Sequence, residues 1–305
     1  MEFLREVANF LEAEDIKLLR IFMRDDVTSA SIIRIFEDPE NAGKYLVLLK
    51  DRPKAIYIVA KIAERIEEYL KGDEASISYE LFMKALEEIK DTKDSALKLK
   101  IHLLVRDAII RKINEKEYET AAALTSEFYE FGLKDCLKKL LLIASELSER
   151  GDYPKSVKIL NLLIPSDSIN ELKSHILEEW GKNLMAKRDY INAASRFLEA
   201  IRVGNRKEVL INLGDAYFRA GEFENAYEAY SSIEITAKNE IEVLRRTSMM
   251  LNSWGEELVN QGELEKAVDK FNEAYQTAIK INEDDIAVNA LKSARKAIEM
   301  IKGAD

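Results

Sequence analysis

The stretch Leu210–Tyr230, LINLGDAYFRAGEFENAYEAY, decides the fold. Leu210, Leu213 and Tyr217 recur at helical spacing, Gly221 interrupts them, and Phe223, Ala226 and Tyr230 resume the period. Gly214 stands in mid-helix, where lost backbone entropy costs about 1 kcal/mol against alanine. The same sacrifice recurs upstream at Gly181, in HILEEWGKNLMAK, and downstream at Gly255, in LNSWGEELVNQ. Twelve residues after each glycine comes an alanine (Ala193, Ala226, Ala267), and four further on an aromatic (Phe197, Tyr230, Phe271). A missing Cβ followed at fixed distance by a small and then a large side chain is a packing unit used repeatedly. It predicts that another helix passes close over each glycine.

Gly221 and Gly262 fall where the first helix of a unit must stop, and Phe223 and Leu264 open its partner. A third copy has Arg188 and Tyr190 at these places. A fourth, LIASELSERGDYPKSVKIL, has Gly151, Tyr153 and Ser156, with Pro154 in a first helical turn. These residues resemble the tetratricopeptide repeat (TPR), a helix–turn–helix unit of 34 residues. Leu210, Leu213, Gly214, Tyr217, Gly221, Phe223, Ala226 and Tyr230 match its pattern most fully. Trp254, Gly255, Leu258, Gly262, Ala267, Phe271 and Ala274 make a second copy, and Trp180, Gly181, Leu184, Tyr190, Ala193, Phe197 and Ala200 a third. The resemblance implies an all-α, right-handed superhelical solenoid of antiparallel helix pairs closed by a C-terminal capping helix.

Spacing is uneven: Gly181 and Gly214 are 33 residues apart, Gly214 and Gly255 41. The surplus falls in SSIEITAKNEIEVLRR and lengthens the second helix of one unit or the first of the next. Upstream the pattern fades. Residues 1–52 read as short, irregular helices punctuated by Asp25-Asp26 and Asp38-Pro39, and 53–136 as degenerate helix pairs split at Lys71-Gly72-Asp73. The repeats proper occupy 137–283. Residues 284–305 form a cap and tail, with Ala287, Ala290, Leu291, Ala294 and Ile298 on one face and Lys292, Arg295 and Lys296 on the other.

Composition narrows the function. With 47% apolar residues there is enough to bury a core, and 11 Gly and 4 Pro leave few turns, so long helices are expected and no strand. The lone Cys136 rules out an intrachain disulfide framework and points to a reducing compartment. The opening MEFLREVANFLEAED lacks a signal layout and no apolar run spans a bilayer, so a cytoplasmic protein is expected. High Lys and Glu beside two glutamines resembles a thermophile composition. A net charge of −10 offers no basic stripe for a phosphate backbone, which disfavours a single-stranded RNA reader.

Chemistry-bearing clusters are missing from the sequence. His102 and His175 have no ligand-spaced companions, so no metal site is expected. Cys136 has no histidine to activate it. No phosphate loop or nucleophile elbow occurs, and neither an enzyme nor a cofactor is expected.

In TPR-like proteins the first helix of each unit lines a concave groove. Carried over to this chain, the resemblance assigns the partner-binding groove to Lys138, Leu141, Glu178, Lys182, Ile211, Asp215, Phe218, Arg219, Asn252 and Glu256. The family's carboxylate clamp is not reproduced, since Lys182, Asp215 and Glu256 stand where its asparagine and lysine would be. The expected partner is a protein or peptide segment with basic and apolar side chains, oriented by Asp215 and Glu256. Against this stands the plain alternative that Asp215–Arg219 and Glu178–Lys182 pair along their own helices. A further alternative is a homodimer, a self-associating regulatory subunit in which the helix near 238–260 projects Met249, Met250 and Val243.

Overall fold

The computed structural model describes residues 11–69 and 72–304. The opening MEFLREVANF, Lys71 at the expected helix split and the final residue of the tail lie outside the described residues. Regular structure among the described residues is wholly helical: sixteen α-helices and three short 3-10 turns. The chain forms two compact units, residues 1–140 and 141–305.

The first unit begins with three short helices, α1 (Ala13–Phe22), α2 (Asp26–Glu37) and α3 (Ala42–Val47). Asp25 caps α2 by accepting the Thr28 amide at 2.9 Å. Next come α4 (Pro53–Tyr69) and α5 (Asp73–Ile89), then α6 (Ser95–Asn114), α7 (Tyr118–Glu127) and the start of α8 (Lys134–Glu149). Pro53 opens α4, where its missing N–H leaves nothing unsatisfied. Every residue of α4 from Ala55 to Glu64 is buried, so the middle of this helix is surrounded on all sides. Its charged residues go inside with it.

Those charges are paired. Lys61 donates to Asp15 of α1 at 2.7 Å, and Lys100 of α6 reaches the other Asp15 oxygen at 3.1 Å. Glu67 accepts from Lys112 at 2.6 Å, and Arg111 bridges Glu64 and Glu67. Burial pulls the Lys112 ammonium toward deprotonation, but hydrogen bonds to Glu67 and Glu117 outweigh it and hold its pKa above the ordinary value.

The second unit takes the rest of α8, then α9 (Tyr153–Leu162), α10 (Asp167–Ala186), α11 (Tyr190–Gly204), α12 (Leu210–Ala220), α13 (Phe223–Ser231), α14 (Glu240–Asn260), α15 (Leu264–Lys280) and α16 (Asp284–Ala304). These are TPR-like antiparallel helix pairs, and the glycines explain how they close. A methyl placed on Gly181 would lie 2.5 Å from Phe197 Cε1, one on Gly214 2.5 Å from Tyr230 Cε1, and one on Gly255 2.6 Å from Phe271 Cε1. An aromatic ring from the partner helix fills the space in each case, as the small-then-large spacing predicts. Buried clusters then hand the core along: Ala193, Phe197, Val209 and Leu213 join α11 to α12, while Ala226, Tyr230, Met250 and Ala290 join α13, α14 and α16.

The turns are as regular as the cores. Gly151, Arg188, Gly221, Gly262 and Asn282 all have positive φ. At each, two amides close back on the preceding helix; around Gly221 these are Gly221 N–H to Phe218 O at 3.1 Å and Glu222 N–H to Tyr217 O at 3.0 Å. An acid follows the positive-φ residue every time. Asp152, Asp189, Glu222 and Glu263 sit at the N-cap of the next helix, where the helix dipole favours negative charge. Lys116, Glu117 and Tyr118 repeat the turn in the first unit, although no helix glycine announces it there.

The surplus residues before Gly255 go to the first helix of the next unit. α14 has 21 residues, whereas α13 has 9. On α16, Ala287, Ala290, Ala294 and Ala297 are buried, but Ile298, expected with them, is exposed. It lies on the flank of the helix rather than its buried face.

Candidate functional site

Between the first helices of two successive units, α12 and α14, lies a groove of about 330 Å³. Asp215, Phe218 and Arg219 line it from α12, Tyr230 from α13, and Glu242, Arg245, Arg246 and Met249 from α14. Asp215 is brought there because it follows Gly214, which presses α12 against the Tyr230 ring. The tyrosine occupies the register that Phe197 and Phe271 hold in the adjoining units, and its added hydroxyl has a purpose. It donates to Asp215 Oδ1 at 2.5 Å, while Arg246 binds Oδ2. Burial and the Asp215 carboxylate both drive the Tyr230 hydroxyl far above its usual range, so it stays a donor.

Both oxygens of Asp215 are thus engaged. Arg246 also donates to Glu242 at 2.7 Å, and Arg245 donates to Glu283 at 2.8 Å. Burial lowers the Arg246 pKa, but hydrogen bonds to Asp215 and Glu242 more than compensate and raise it. Arg219 is exposed and makes no ion pair among the described residues. Phe218 is half-buried and Met249 is exposed, giving the groove two apolar walls.

Of the ten groove positions read from the sequence, the structure brings Asp215, Phe218 and Arg219 into this one groove. Ile211 is half-buried on the same helix. Glu178 and Lys182 form a separate cluster on α10: Glu178 is buried, pairs with Lys182 at 2.8 Å as the helical spacing suggests, and takes Arg206 at 2.9 Å. Asn252 donates to Glu256 along α14 at 2.9 Å. Lys138 is exposed in the first unit and Leu141 half-buried in the second. The expected Asp215–Arg219 pair is replaced by Asp215–Arg246, from the next helix. The expected projection of Val243 and Met250 is also corrected, since both face the core and only Met249 looks outward.

Sequence reasoning missed Arg245, Arg246 and Glu242. The repeat pattern begins its first helix about where Met249 stands, but α14 starts two turns earlier at Glu240, and these charges lie on the extension. A tyrosine in a phenylalanine register, matched to an aspartate next to the helix glycine, was the available signal.

Cys136 is buried, and burial together with the neighbouring Asp135 pushes its thiol up to about 11. His102 Nδ1 lies 2.7 Å from the Phe131 carbonyl oxygen. No group of three metal-ligating side chains occurs among the described residues. Trp180 is stacked on Tyr153 with Arg196 4.7 Å over its ring centroid, and Trp254 on Phe223 with Lys270 at 4.5 Å. Both indoles are used to join one unit to the next. No helix among the described residues is long and apolar enough to cross a membrane.

No protein-family model matches the chain, and no curated protein is significantly similar to it. Thirty-eight chains of solved structures match. One is the TPR2AB-domain:pHSP90 complex of yeast Sti1, at 16% identity over 82% of this chain and 98% of that chain, with a TM-score of 0.29. A likeness at that level carries no weight for the partner or the family. The architecture stands on the helix pairs themselves.

Proposed function

We propose that this protein is a non-catalytic interaction scaffold whose α12–α14 groove takes an extended or helical segment of a protein partner. The observation that carries this reading is the groove itself: two apolar walls, Phe218 and Met249, beside a floor of fixed ion pairs. Burying a Leu-sized side chain is worth roughly 1.5–3 kcal/mol, whereas an exposed ion pair adds about 0–1 kcal/mol. Apolar contacts therefore set affinity, and charge sets preference.

The sequence suggested a basic partner because Asp215 and Glu256 were both assigned to the groove. In the groove, Asp215 and Glu242 are already bound by Arg246, and the unpaired charge is the guanidinium of Arg219. We therefore propose that the segment taken here is apolar and acidic. A cofactor plays no part in this reading. The buried, unpaired Cys136 fits a reducing compartment such as the cytoplasm.

Fluorescence anisotropy with two labelled peptide pools tests the reading, one pairing Leu and Phe with Asp and Glu, the other pairing them with Lys and Arg. The acidic pool is expected to bind, Phe218→Ala to weaken it at least about tenfold, and Arg219→Glu to shift preference toward the basic pool. Binding by neither pool, or binding indifferent to Phe218→Ala, contradicts the assignment.

A further inference from the structure

None of the residues lining the groove lies on α16. Its buried face is built from alanines, and one flank of the helix carries Asp284, Val288, Leu291, Arg295, Ile298 and Lys302. The steps between these residues alternate four and three, averaging 3.6, so all six lie along one stripe of the helix. Val288 is 47% and Ile298 38% exposed, and Leu291 is half-buried, so the apolar members of the seam are open along one side of the helix. The buried alanines bind α16 to α14 and α15 through a different face, so this stripe is not needed for that packing.

The seam is self-complementary when reversed. About a two-fold axis at Ser293, Asp284 falls opposite Lys302, Val288 opposite Ile298, and Leu291 opposite Arg295. An antiparallel second copy therefore sets the acid against a base, the β-branched residues against each other, and Leu291 against the aliphatic stem of Arg295. A parallel copy would instead set Asp284 against Asp284 and Arg295 against Arg295. A foreign helix would require no such reversal symmetry. We infer that the flank of α16 is a homodimer surface, pairing antiparallel with α16 of a second copy of this chain about Ser293.

The seam runs about 27 Å from Asp284 to Lys302, and Lys292 meets its own copy beside the axis. The dimer is accordingly weak and concentration-dependent, at the small end of specific interfaces.

Sedimentation equilibrium of the full chain over a concentration series reads the assembly, and cysteine substitution reads the register. The expected mass rises from monomer toward dimer, and Val288→Glu with Ile298→Glu holds it at monomer with an unchanged circular dichroism spectrum, since both positions are exposed. Under oxidising conditions the V288C/I298C double variant is expected to cross-link. Either single variant should cross-link several-fold less, because a residue and its own copy would stand about 15 Å apart along the paired helices. The native Cys136 is buried and does not compete. A wild-type chain that stays monomeric throughout overturns the proposal. So does a dimer that survives V288E/I298E, or a V288C single variant that cross-links as readily as the double. Peptide binding in the α12–α14 groove is independent of all these outcomes.

Discussion

The two units solve one problem, packing helix on helix, with different chemistry. In the first, the middle of α4 is buried all round and the helix carries Lys61, Glu64 and Glu67 inward, where ion pairs from other helices meet them. In the second, a glycine on one helix admits an aromatic ring from its partner, and charges stay mostly outside. Shape is specified there by small and large residues at fixed offsets; in the first unit it is fixed by charge partners far apart in sequence. Asp15 and Lys61 are 46 residues apart, and Asp15 and Lys100 85. The comparison teaches that a repeat can be read from one chain only when its packing code is periodic.

The largest expected effect breaks the ionic side of this comparison. Lys61→Met leaves Asp15, almost wholly buried, with Lys100 as its remaining partner. Urea denaturation should show a loss of about 3–5 kcal/mol, with much of it recovered by the D15L/K61M double variant, because removing both members of a buried pair leaves no orphaned charge. Arg150→Met in the second unit, at a pair with Glu146 exposed on both sides, should cost no more than about 1 kcal/mol. Equal losses at the two sites would erase the distinction between the units.

A smaller effect sharpens the turns. Gly221 has φ +80° and Arg188 φ +62° at equivalent places. Thermal denaturation should show Gly221→Ala losing about 1–2 kcal/mol and Arg188→Gly gaining about 1 kcal/mol, since a side chain is strained in the left-handed region. A stabilised G221A variant would mean that the turn is not fixed by this geometry.

The smallest effect is a pH dependence. The Arg52 hydrogen bond, then those from the Thr28 amide and hydroxyl, hold Asp25 at about 2, below its ordinary 3.8. A carboxylate with a depressed folded pKa stabilises fully above the unfolded value, and that contribution fades as pH falls from 3.8 toward 2. Asp25→Asn should flatten the stability curve in that window and leave its slope at neutral pH unchanged. An identical slope in the variant would show that the contact contributes nothing.

How much the sequence disclosed follows from the same contrast. The glycine–aromatic register and the turns at Gly151, Gly221 and Gly262 were legible because each is periodic, and Arg188 was found by its register alone. Lys116 makes the same turn in the first unit, where Tyr118 and Ala121 keep the register although no helix glycine precedes them. Buried serines were missed. Ser174 donates to the Ala200 carbonyl at 2.8 Å and Ser248 to that of Ala274 at 2.7 Å, each serine lying seven residues before its glycine. That recurrence was visible but carries no signature of hydrogen bonding on its face. In the groove, Asp215 and Phe218 were legible from the repeat, whereas Arg246 lies ahead of the repeat's groove positions, on a helix already read near 238–260. With the neighbouring helix in place, Asp215 has an arginine partner that its own helix does not supply.

The central claim, that an absent Cβ makes room for an aromatic ring, is tested most directly by a double-mutant cycle at Gly181 and Phe197, measured by urea denaturation. Gly181→Ala alone should destabilise by about 1–3 kcal/mol through overpacking, despite a gain of about 1 kcal/mol in helix propensity. In the Phe197→Leu background the same alanine should cost nothing or stabilise. Gly43, a helical glycine with nothing within 4 Å of an added methyl, is the control, and Gly43→Ala should stabilise by about 0.5–1 kcal/mol. If Gly181→Ala behaves like Gly43→Ala and shows no coupling to Phe197, the ring does not occupy that space and the account fails.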